Sequence, residues 1–361
     1  MRDVPHPLGD FAQRLIAWQV SAGRHHLPWQ GTRDPYRVWL SEIMLQQTQV
    51  STVLGYFDRF LARFPNVQAL AGAAEGDVLA LWSGLGYYSR ARNLHRCAQV
   101  VVQEHGGCFP SSAHELTQLP GIGPSTAAAI ASFCFGQRVS IFDGNVKRVM
   151  ARHLGFEQDL SSTAADRALK AQVDQRVPSS GHEHLMPAYT QGLMDLGATV
   201  CTPRRPRCSE CPLAADCKAR AQGRVDVLPV KTRKLVRRTQ LWWWLVLWRD
   251  DGRVWLAQRP SRGVWGGLHS FPSFDAEASL EAALPADWRS SLTAWPAFTH
   301  VLTHMDLVLH ARVLRLSAHA IGEQATWLNA LPGEWHSCPD DTRALGLPAP
   351  VSKVLGQLLT P

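Results

Sequence analysis

Leu119-Pro120-Gly121-Ile122-Gly123-Pro124-Ser125-Thr126 lies between two stretches of helical pattern and governs how the first half of the chain folds. Gly121 and Gly123 straddle an apolar residue, which permits a tight turn and a close approach to the backbone. The unpaired N–H groups at the start of the helix that follows, with the positive end of its dipole, form a seat for a phosphate. A bare Gly-x-Gly would be an ordinary corner between helices. The leading Leu-Pro, the closing Thr126 and the alanine-rich stretch behind it make this pattern far more specific.

Outward from the turn the pattern stays helical. Asp34-Pro35 is a cap followed by a first-turn proline, and Val50, Val53, Leu54, Phe57, Phe60, Leu61 and Phe64 recur at helical spacing. Ser89 opens another helix that stops at Gly106-Gly107. Further helices are predicted over 125–135, 145–154, 163–176 and 184–196. The character changes near residue 222: the stretch 222–240 carries Arg224, Lys231, Arg233, Lys234, Arg237 and Arg238 and reads as a basic linker. Beyond it, apolar strands over 241–248 and 254–258 flank Asp250-Asp251-Gly252, a hairpin signature. The first strand is apolar on both faces, as a central strand is, so Trp242-Trp243-Trp244 reads as core rather than as a base-stacking platform. The predicted fold is multi-domain: an all-α unit over 1–221, a basic linker over 222–239 and a smaller α/β unit over 240–361.

Composition narrows the function. A chain of 361 residues exceeds one ordinary core. With 45% hydrophobic and 19% charged residues it is globular rather than disordered. Its formal charge of +7 favours a polyanionic partner. Met1-Arg2-Asp3-Val4-Pro5-His6-Pro7 lacks the apolar run of a secretory signal, and the most apolar stretch, 241–248, is strand-sized rather than membrane-spanning. A cytoplasmic, nucleoid-associated location without a membrane partner is expected.

Three groups of residues carry chemistry. Glu42 sits among Trp39, Ile43, Met44 and Leu45, and in apolar surroundings a carboxylic acid keeps its proton near neutrality and can act as a general acid. Asp143 follows the hairpin by about twenty residues, in Phe142-Asp143-Gly144-Asn145, where an isolated Asp would cap the next helix. Cys201, Cys208, Cys211 and Cys217 leave gaps of six, two and five residues, close enough to share one metal centre, with Arg204, Arg205, Arg207 and Lys218 around them. Spacing alone leaves zinc and an iron–sulfur cluster both open. Cys97, Cys108, Cys134 and Cys338 are scattered and read as small hydrophobes.

The hairpin followed at that distance by Asp143 closely resembles the helix–hairpin–helix DNA glycosylase superfamily. The cysteine spacing is similar to the iron–sulfur loop of endonuclease III and its relatives, which implies a [4Fe–4S] cluster on the four thiolates. The N-terminal third narrows the resemblance further. Leu27-Pro28-Trp29, Asp34-Pro35-Tyr36, the run Val38-Trp39-Leu40-Ser41-Glu42-Ile43-Met44-Leu45-Gln46-Gln47-Thr48-Gln49-Val50 and Gly84-Leu85-Gly86-Tyr87-Tyr88-Ser89-Arg90-Ala91-Arg92-Asn93-Leu94 look like the MutY family of adenine DNA glycosylases. The resemblance implies a monomeric enzyme that cuts the base–sugar bond of an adenine mispaired with 8-oxoguanine or guanine in double-stranded DNA. It implies Glu42 as general acid, Asp143 as the carboxylate facing the sugar, and Asn145 as its neighbour. By the same resemblance Leu27, Trp29 and Gln191 line the adenine pocket, while Gln47, Thr48, Leu85 and Tyr87 fill or wedge the duplex, and Gly121, Gly123 and Ser125 belong to the phosphate-gripping turn. Strand-cleaving relatives carry a lysine where this chain has Ser125, so a monofunctional glycosylase is expected.

In the C-terminal part, Ala257-Gln258-Arg259-Pro260 and Gly263-Val264-Trp265-Gly266-Gly267-Leu268 resemble the opening of a Nudix-type fold. The dense Arg-Glu-Glu helix of the hydrolytic members is replaced by Ser273-Phe274-Asp275-Ala276-Glu277-Ala278-Ser279-Leu280-Glu281, so recognition rather than hydrolysis is expected. The family reads the oxidised guanine with a Phe-Ser-His loop, and the corresponding residues here are Leu302, Thr303 and His304. His300 and His310 read as ordinary surface or half-buried histidines.

Overall fold

The computed structural model describes residues 9–232, 236–317 and 325–360. Met1 to Pro7, and Arg233 and Lys234 of the basic linker, lie outside the described residues. The chain divides into two compact units: Met1–Gly72 with Asn93–Lys234, and Ala73–Arg92 with Leu235–Pro361.

In chain order the helices are α1 (Asp10–Ala22), α2 (Pro35–Leu45), α3 (Val50–Arg63), α4 (Val67–Ala71), α5 (Glu75–Leu81), α6 (Ser89–His105), α7 (Ala113–Leu116), α8 (Pro124–Phe135), α9 (Gly144–Leu154), α10 (Thr163–Asp174), α11 (Met186–Asp195) and α12 (Lys218–Ala221). Their ends are chemically marked. Asp34 caps α2 by accepting from Tyr36 N, and Pro35 occupies the first turn, where its missing N–H costs nothing. Gly136 and Gly155 close α8 and α9 in the left-handed conformation.

The helix predicted over 184–196 is broken into three pieces. Glu183–Leu185 is a 3₁₀ turn, α11 starts at Met186 with Pro187 in its first turn, and Leu196–Val200 widens into a π turn. Packing decides that widening: a Cβ on Gly197 would lie 2.7 Å from Asn145 Cβ, and Cys201 N donates to Leu196 O at 2.7 Å. The core of the helical unit joins α1, α9, α10 and α11 through Leu15, Met150, Leu169, Tyr189 and Leu193, all fully buried. Burial of such side chains contributes roughly 1.5–3 kcal/mol each.

The stretch after α12 is not a solvated linker throughout. Leu228 is buried, its carbonyl accepts from Arg152 Nε at 2.9 Å, and Arg224 pairs with Glu157. Val230 O accepts from Leu160 N at 3.0 Å, and Thr232 hydrogen bonds to Asp159. Basic side chains project from a backbone that is packed on the helical unit up to residue 232, a tertiary effect that charge patterning does not encode.

The second unit is built on a mixed sheet. Its strands are β1 (Arg238–Arg249), β2 (Arg253–Gln258), β3 (His269–Ser270), β4 (Ser273–Phe274), β5 (Thr293–Ala294), β6 (Phe298–Val301), β7 (Met305–Leu316) and β8 (Glu334–Ser337). The path runs β3-β2-β1-β7-β5, with β4 on β1, β6 on β7 and β8 on β2. Strand β1 is central and pairs in parallel with β7 from Arg238↔Met305 to Arg249↔Leu316. That position explains its apolar run: Trp244, Leu245, Val246 and Leu247 are all fully buried. Helices α13 (Glu277–Ala283), α14 (Ala286–Arg289), α15 (Ala325–Ala330) and α16 (Ala349–Leu359) complete the unit, and Leu280, Leu284 and Trp288 pack under the sheet.

The same unit holds residues 73–92. Ser83 Oγ and Tyr88 OH donate to Leu347 O at 2.9 and 2.8 Å, and Arg92 donates to Gly266 O. The sequence boundaries 1–221, 222–239 and 240–361 therefore differ from the compact units at this segment. Local pattern marks it as helical but cannot say what it packs on. No helix among the described residues is long and apolar enough to cross a membrane.

Candidate active site

The helical unit contains a cavity of about 850 Å³. Leu27 and Trp29 enter it from the loop before α2, Glu42 from α2, and Gln47 and Thr48 from the turn after α2. Ser125 comes from the start of α8, Asp143 and Asn145 from the start of α9, and Gln191 from α11. Residues spread over 165 positions thus converge on one wall system, and this convergence is the chief structural result.

Helix α2 turns Trp39 and Met44 into the core, where both are fully buried, and leaves Glu42 and Leu45 on the cavity side. Burial raises the Glu42 carboxyl from its ordinary 4.5 to about 8, and the Asp143 carboxylate adds to the rise. A proton is therefore held there at neutral pH. Asp143 does cap α9, accepting from Val146 N through Oδ1 at 2.7 Å, and the same carboxylate lines the cavity. The cap fixes the rotamer of an acid that faces the site. Asn145 Oδ1 accepts from Arg148 Nη2 at 2.9 Å, and Arg148 also donates to Gly197 O and Cys201 O at 2.7 and 2.8 Å.

Gln47 departs from helical geometry with φ +57°, which turns the chain from α2 into α3. Tyr87, in the second unit, has φ +50°. Non-glycine residues reach this region at a cost of order 1–3 kcal/mol and cluster at functional positions. Leu85 is buried, whereas Tyr87 is substantially exposed and its hydroxyl lies 2.7 Å from Thr303 Oγ1. Thr303 and His304 form the exposed tip of the β6–β7 hairpin, closed by Leu302 N donating to Met305 O at 2.8 Å. His310 stacks on Trp243 with ring centroids 4.6 Å apart, and His300 packs on Trp265, so both are structural. Glu277 is committed to Arg312 by a contact of 2.6 Å.

The Leu119–Thr126 stretch joins α7 to α8 as a hairpin. Gly121 has φ +76°, and a Cβ there would fall 2.6 Å from Asn93 Cβ. Gly123 ends the turn in ordinary extended geometry as the cap of α8, with nothing within 4 Å of an added Cβ. Ile122 between them is buried, which pins the turn while both glycine backbones stay exposed.

Cys201, Cys208, Cys211 and Cys217 line one small cavity with Arg152, Val200 and Ala214. All four are free of disulfides. No group of three or more His, Cys, Asp or Glu among the described residues closes tightly enough to hold a single metal ion. Four thiols lining one void supply the soft donors that an iron–sulfur cluster takes. Arg152 is almost fully buried and organises the loop, donating to Thr202 O at 2.7 Å, Pro203 O at 3.2 Å and Cys201 Sγ at 3.4 Å. Of the scattered cysteines, Cys97 is buried as read, whereas Cys108 is exposed.

Sequence reasoning missed Arg24 and Asp195, and read Lys231 only as part of the basic linker. Arg24 and Lys231 line the cavity. Asp195 is fully buried and accepts from Arg24 N, Arg24 Nε and Gln191 Nε2. A Gln–Asp pair four residues apart on one helix is a legible signal. The ion pair to Arg24, 171 positions away, has none.

A glycine hairpin leading into α8, two carboxylates in one cavity and a four-cysteine loop together define a helix–hairpin–helix base-excision glycosylase. Residues 40–175 match the HhH-GPD superfamily base excision DNA repair protein model, residues 201–217 the iron–sulfur binding domain of endonuclease III, and residues 243–357 the NUDIX domain. The chain is 32% identical over 355 residues to an adenine DNA glycosylase of Buchnera aphidicola subsp. Baizongia pistaciae, covering 96% of each. It is 44% identical over 359 residues to the adenine DNA glycosylase of Homo sapiens, covering 83% of this chain and 64% of that one. Among solved structures, a thermostable thymine-DNA glycosylase aligns with a TM-score of 0.52 at 26% identity, over 59% of this chain and 95% of that one. The chain belongs to the adenine DNA glycosylase family, with its iron–sulfur domain and its C-terminal Nudix domain.

Proposed function

We infer that this chain is a monofunctional glycosylase that hydrolyses the bond between adenine and deoxyribose, acting as a monomer on adenine opposite 8-oxoguanine or guanine. The observation that carries the reading is the meeting of Glu42 and Asp143 in one cavity, with Glu42 protonated near neutrality. An adenine swung out of the stack enters between Leu27, Trp29 and Gln191. Glu42 gives its proton to a ring nitrogen, and the base leaves with the electron pair of the glycosidic bond. The oxocarbenium-like sugar that remains is stabilised by the Asp143 carboxylate, as in the two-carboxylate division of sugar glycosidases. Water adds to the anomeric carbon and its proton passes to solvent.

Gly121 and Gly123 grip the backbone, and Gln47, Thr48, Leu85 and Tyr87 support the duplex where the base has left. The four cysteines hold the [4Fe–4S] cluster, which fixes the basic loop around it. The segments 1–221, 222–239 and 240–361 act as catalytic domain, basic connector and reader of the oxidised guanine, through Thr303 and His304. The site of action is the nucleoid in the cytoplasm.

Ser125 on the cavity wall offers no amine, and Lys147 is paired with Asp166 at 2.6 Å. Among the described residues, Lys231 is the cavity-lining amine that a strand-cleaving activity would require.

The test is single-turnover reaction of a labelled duplex, with and without alkali. Release of adenine with breaks only after alkali is expected, and breaks without alkali would assign Lys231 the second activity. Glu42→Gln is expected to lower base release by about 10²–10⁴ while duplex binding is retained. Release within a few-fold of the native protein would remove Glu42 from the chemistry.

A further inference from the structure

Asp195 has no place in the chemistry above, yet it is fully buried and its carboxylate is hydrogen-bonded to two residues of the cavity wall. Oδ2 accepts from Arg24 N at 2.9 Å, and Oδ1 accepts from Arg24 Nε at 2.7 Å and Gln191 Nε2 at 2.9 Å. Both donors line the cavity. A buried carboxylate is tolerated only when paired and hydrogen-bonded, and Arg24 supplies the counter-charge.

We propose that Asp195 is a positioning residue that holds the Gln191 amide in one orientation, and so makes the pocket favour a base with a hydrogen-bond donor at that edge. The argument is electrostatic. A carboxylate oxygen accepts only, so it holds the amide by its NH₂ and rejects the flipped form, in which two oxygens would meet. With one of its two N–H groups held by Asp195, the amide is fixed with Oε1 on the side away from that carboxylate, and this places an acceptor toward the cavity. Adenine presents an exocyclic amine, a donor, which this acceptor satisfies. A 6-oxo purine presents an acceptor in the same place and meets Oε1 unfavourably. Arg24 Nε lies 2.7 Å from Asp195 Oδ1 and supplies the counter-charge to this carboxylate. The inference rests on the assignment of this cavity as the base pocket.

A freely rotating glutamine would accept from an amine or donate to a carbonyl with equal ease. The two cases separate without touching the buried ion pair. Single-turnover excision is compared for the full-length native protein and Gln191→Ala on duplexes carrying adenine, purine (no 6-substituent) or hypoxanthine (6-oxo). Dividing the native rate by the variant rate for each base removes differences in leaving-group chemistry.

With the amide fixed, the ratio is expected to be about five- to tenfold for adenine, the worth of one hydrogen bond, near one for purine and below one for hypoxanthine. Asp195→Asn, whose side chain can either donate or accept, is expected to bring the hypoxanthine ratio up to one or above; thermal unfolding and visible absorbance confirm its fold. Ratios above one for both adenine and hypoxanthine in the native protein would overturn the proposal while leaving Gln191 in the pocket. Ratios of one for all three bases would overturn it together with the placement of Gln191. Undiminished hypoxanthine rejection in a folded Asp195→Asn protein would remove Asp195 from the role.

Discussion

A carboxylic acid that ionises at about 8 alters the response to pH in two ways. The rate of base release requires protonated Glu42, so it is expected to be flat near neutrality and to fall about tenfold per pH unit above 8. A single-turnover pH profile checks this, and an unchanged rate at pH 9 would show that another group supplies the proton. Stability moves as well. The folded carboxyl titrates above its ordinary 4.5, so between 4.5 and 8 the folded chain holds a proton that the unfolded chain has released. This group therefore makes the fold less stable as pH rises through that window, and has no further effect above it. Glu42→Gln removes the penalty. Its unfolding temperature is expected to gain on the native protein from pH 5 to pH 8 and then hold a constant margin, and a margin independent of pH would contradict the burial argument.

At the level of the element, the two glycines of the hairpin do different jobs. Gly121→Ala forces a side chain into the left-handed region and against Asn93, at a cost of about 2 kcal/mol or more. A lower unfolding temperature is expected, with DNA affinity falling alongside. Gly123→Ala meets nothing in the protein and has an ordinary φ of −84°. It is expected to leave unfolding unchanged or slightly raised and, if the turn seats a phosphate as proposed, to weaken DNA binding alone. Equal loss of stability in both variants would mean that the turn is only a corner. In the cysteine loop, Cys208→Ser is expected to lower bound iron and the visible absorbance, and with them DNA affinity through the basic residues around the loop. Retained iron in that variant would move the ligand set elsewhere.

For the whole molecule, the useful cuts are not where the sequence pattern changes. A protein ending at Arg220 would lose Leu228 from the core and an acceptor from Arg152. One ending at Thr232 keeps both but strips residues 73–92 of Leu347 and Gly266, their partners. Both shortened forms are expected to unfold at lower temperature than the full chain, the Arg220 form more so. The recognition role of the second unit is better tested in the full chain by Thr303→Ala with His304→Ala. These residues sit on an exposed hairpin tip, so folding is expected to survive. The preference for adenine opposite 8-oxoguanine over adenine opposite guanine is expected to drop roughly tenfold, consistent with ~1–3 kcal/mol for contacts to one base edge. An unchanged ratio would place lesion reading in the helical unit.

Sequence alone determined what depends on short-range chemistry. The hairpin glycines, the caps at Asp34 and Asp143, the central apolar strand and the cysteine spacing were legible because each is set by neighbours a few residues away. Glu42 was legible because its own helix surrounds it with apolar residues. Tertiary structure decided the rest. The π widening at Leu196–Val200 follows from Gly197 packing on Asn145, and the order in the basic segment follows from Leu228 and Asp159. The placement of residues 73–92 with the second unit, and the Arg24–Asp195 pair, depend on groups far apart in the chain. Periodicity and spacing report which face of an element is apolar; only packing determines which distant element covers that face.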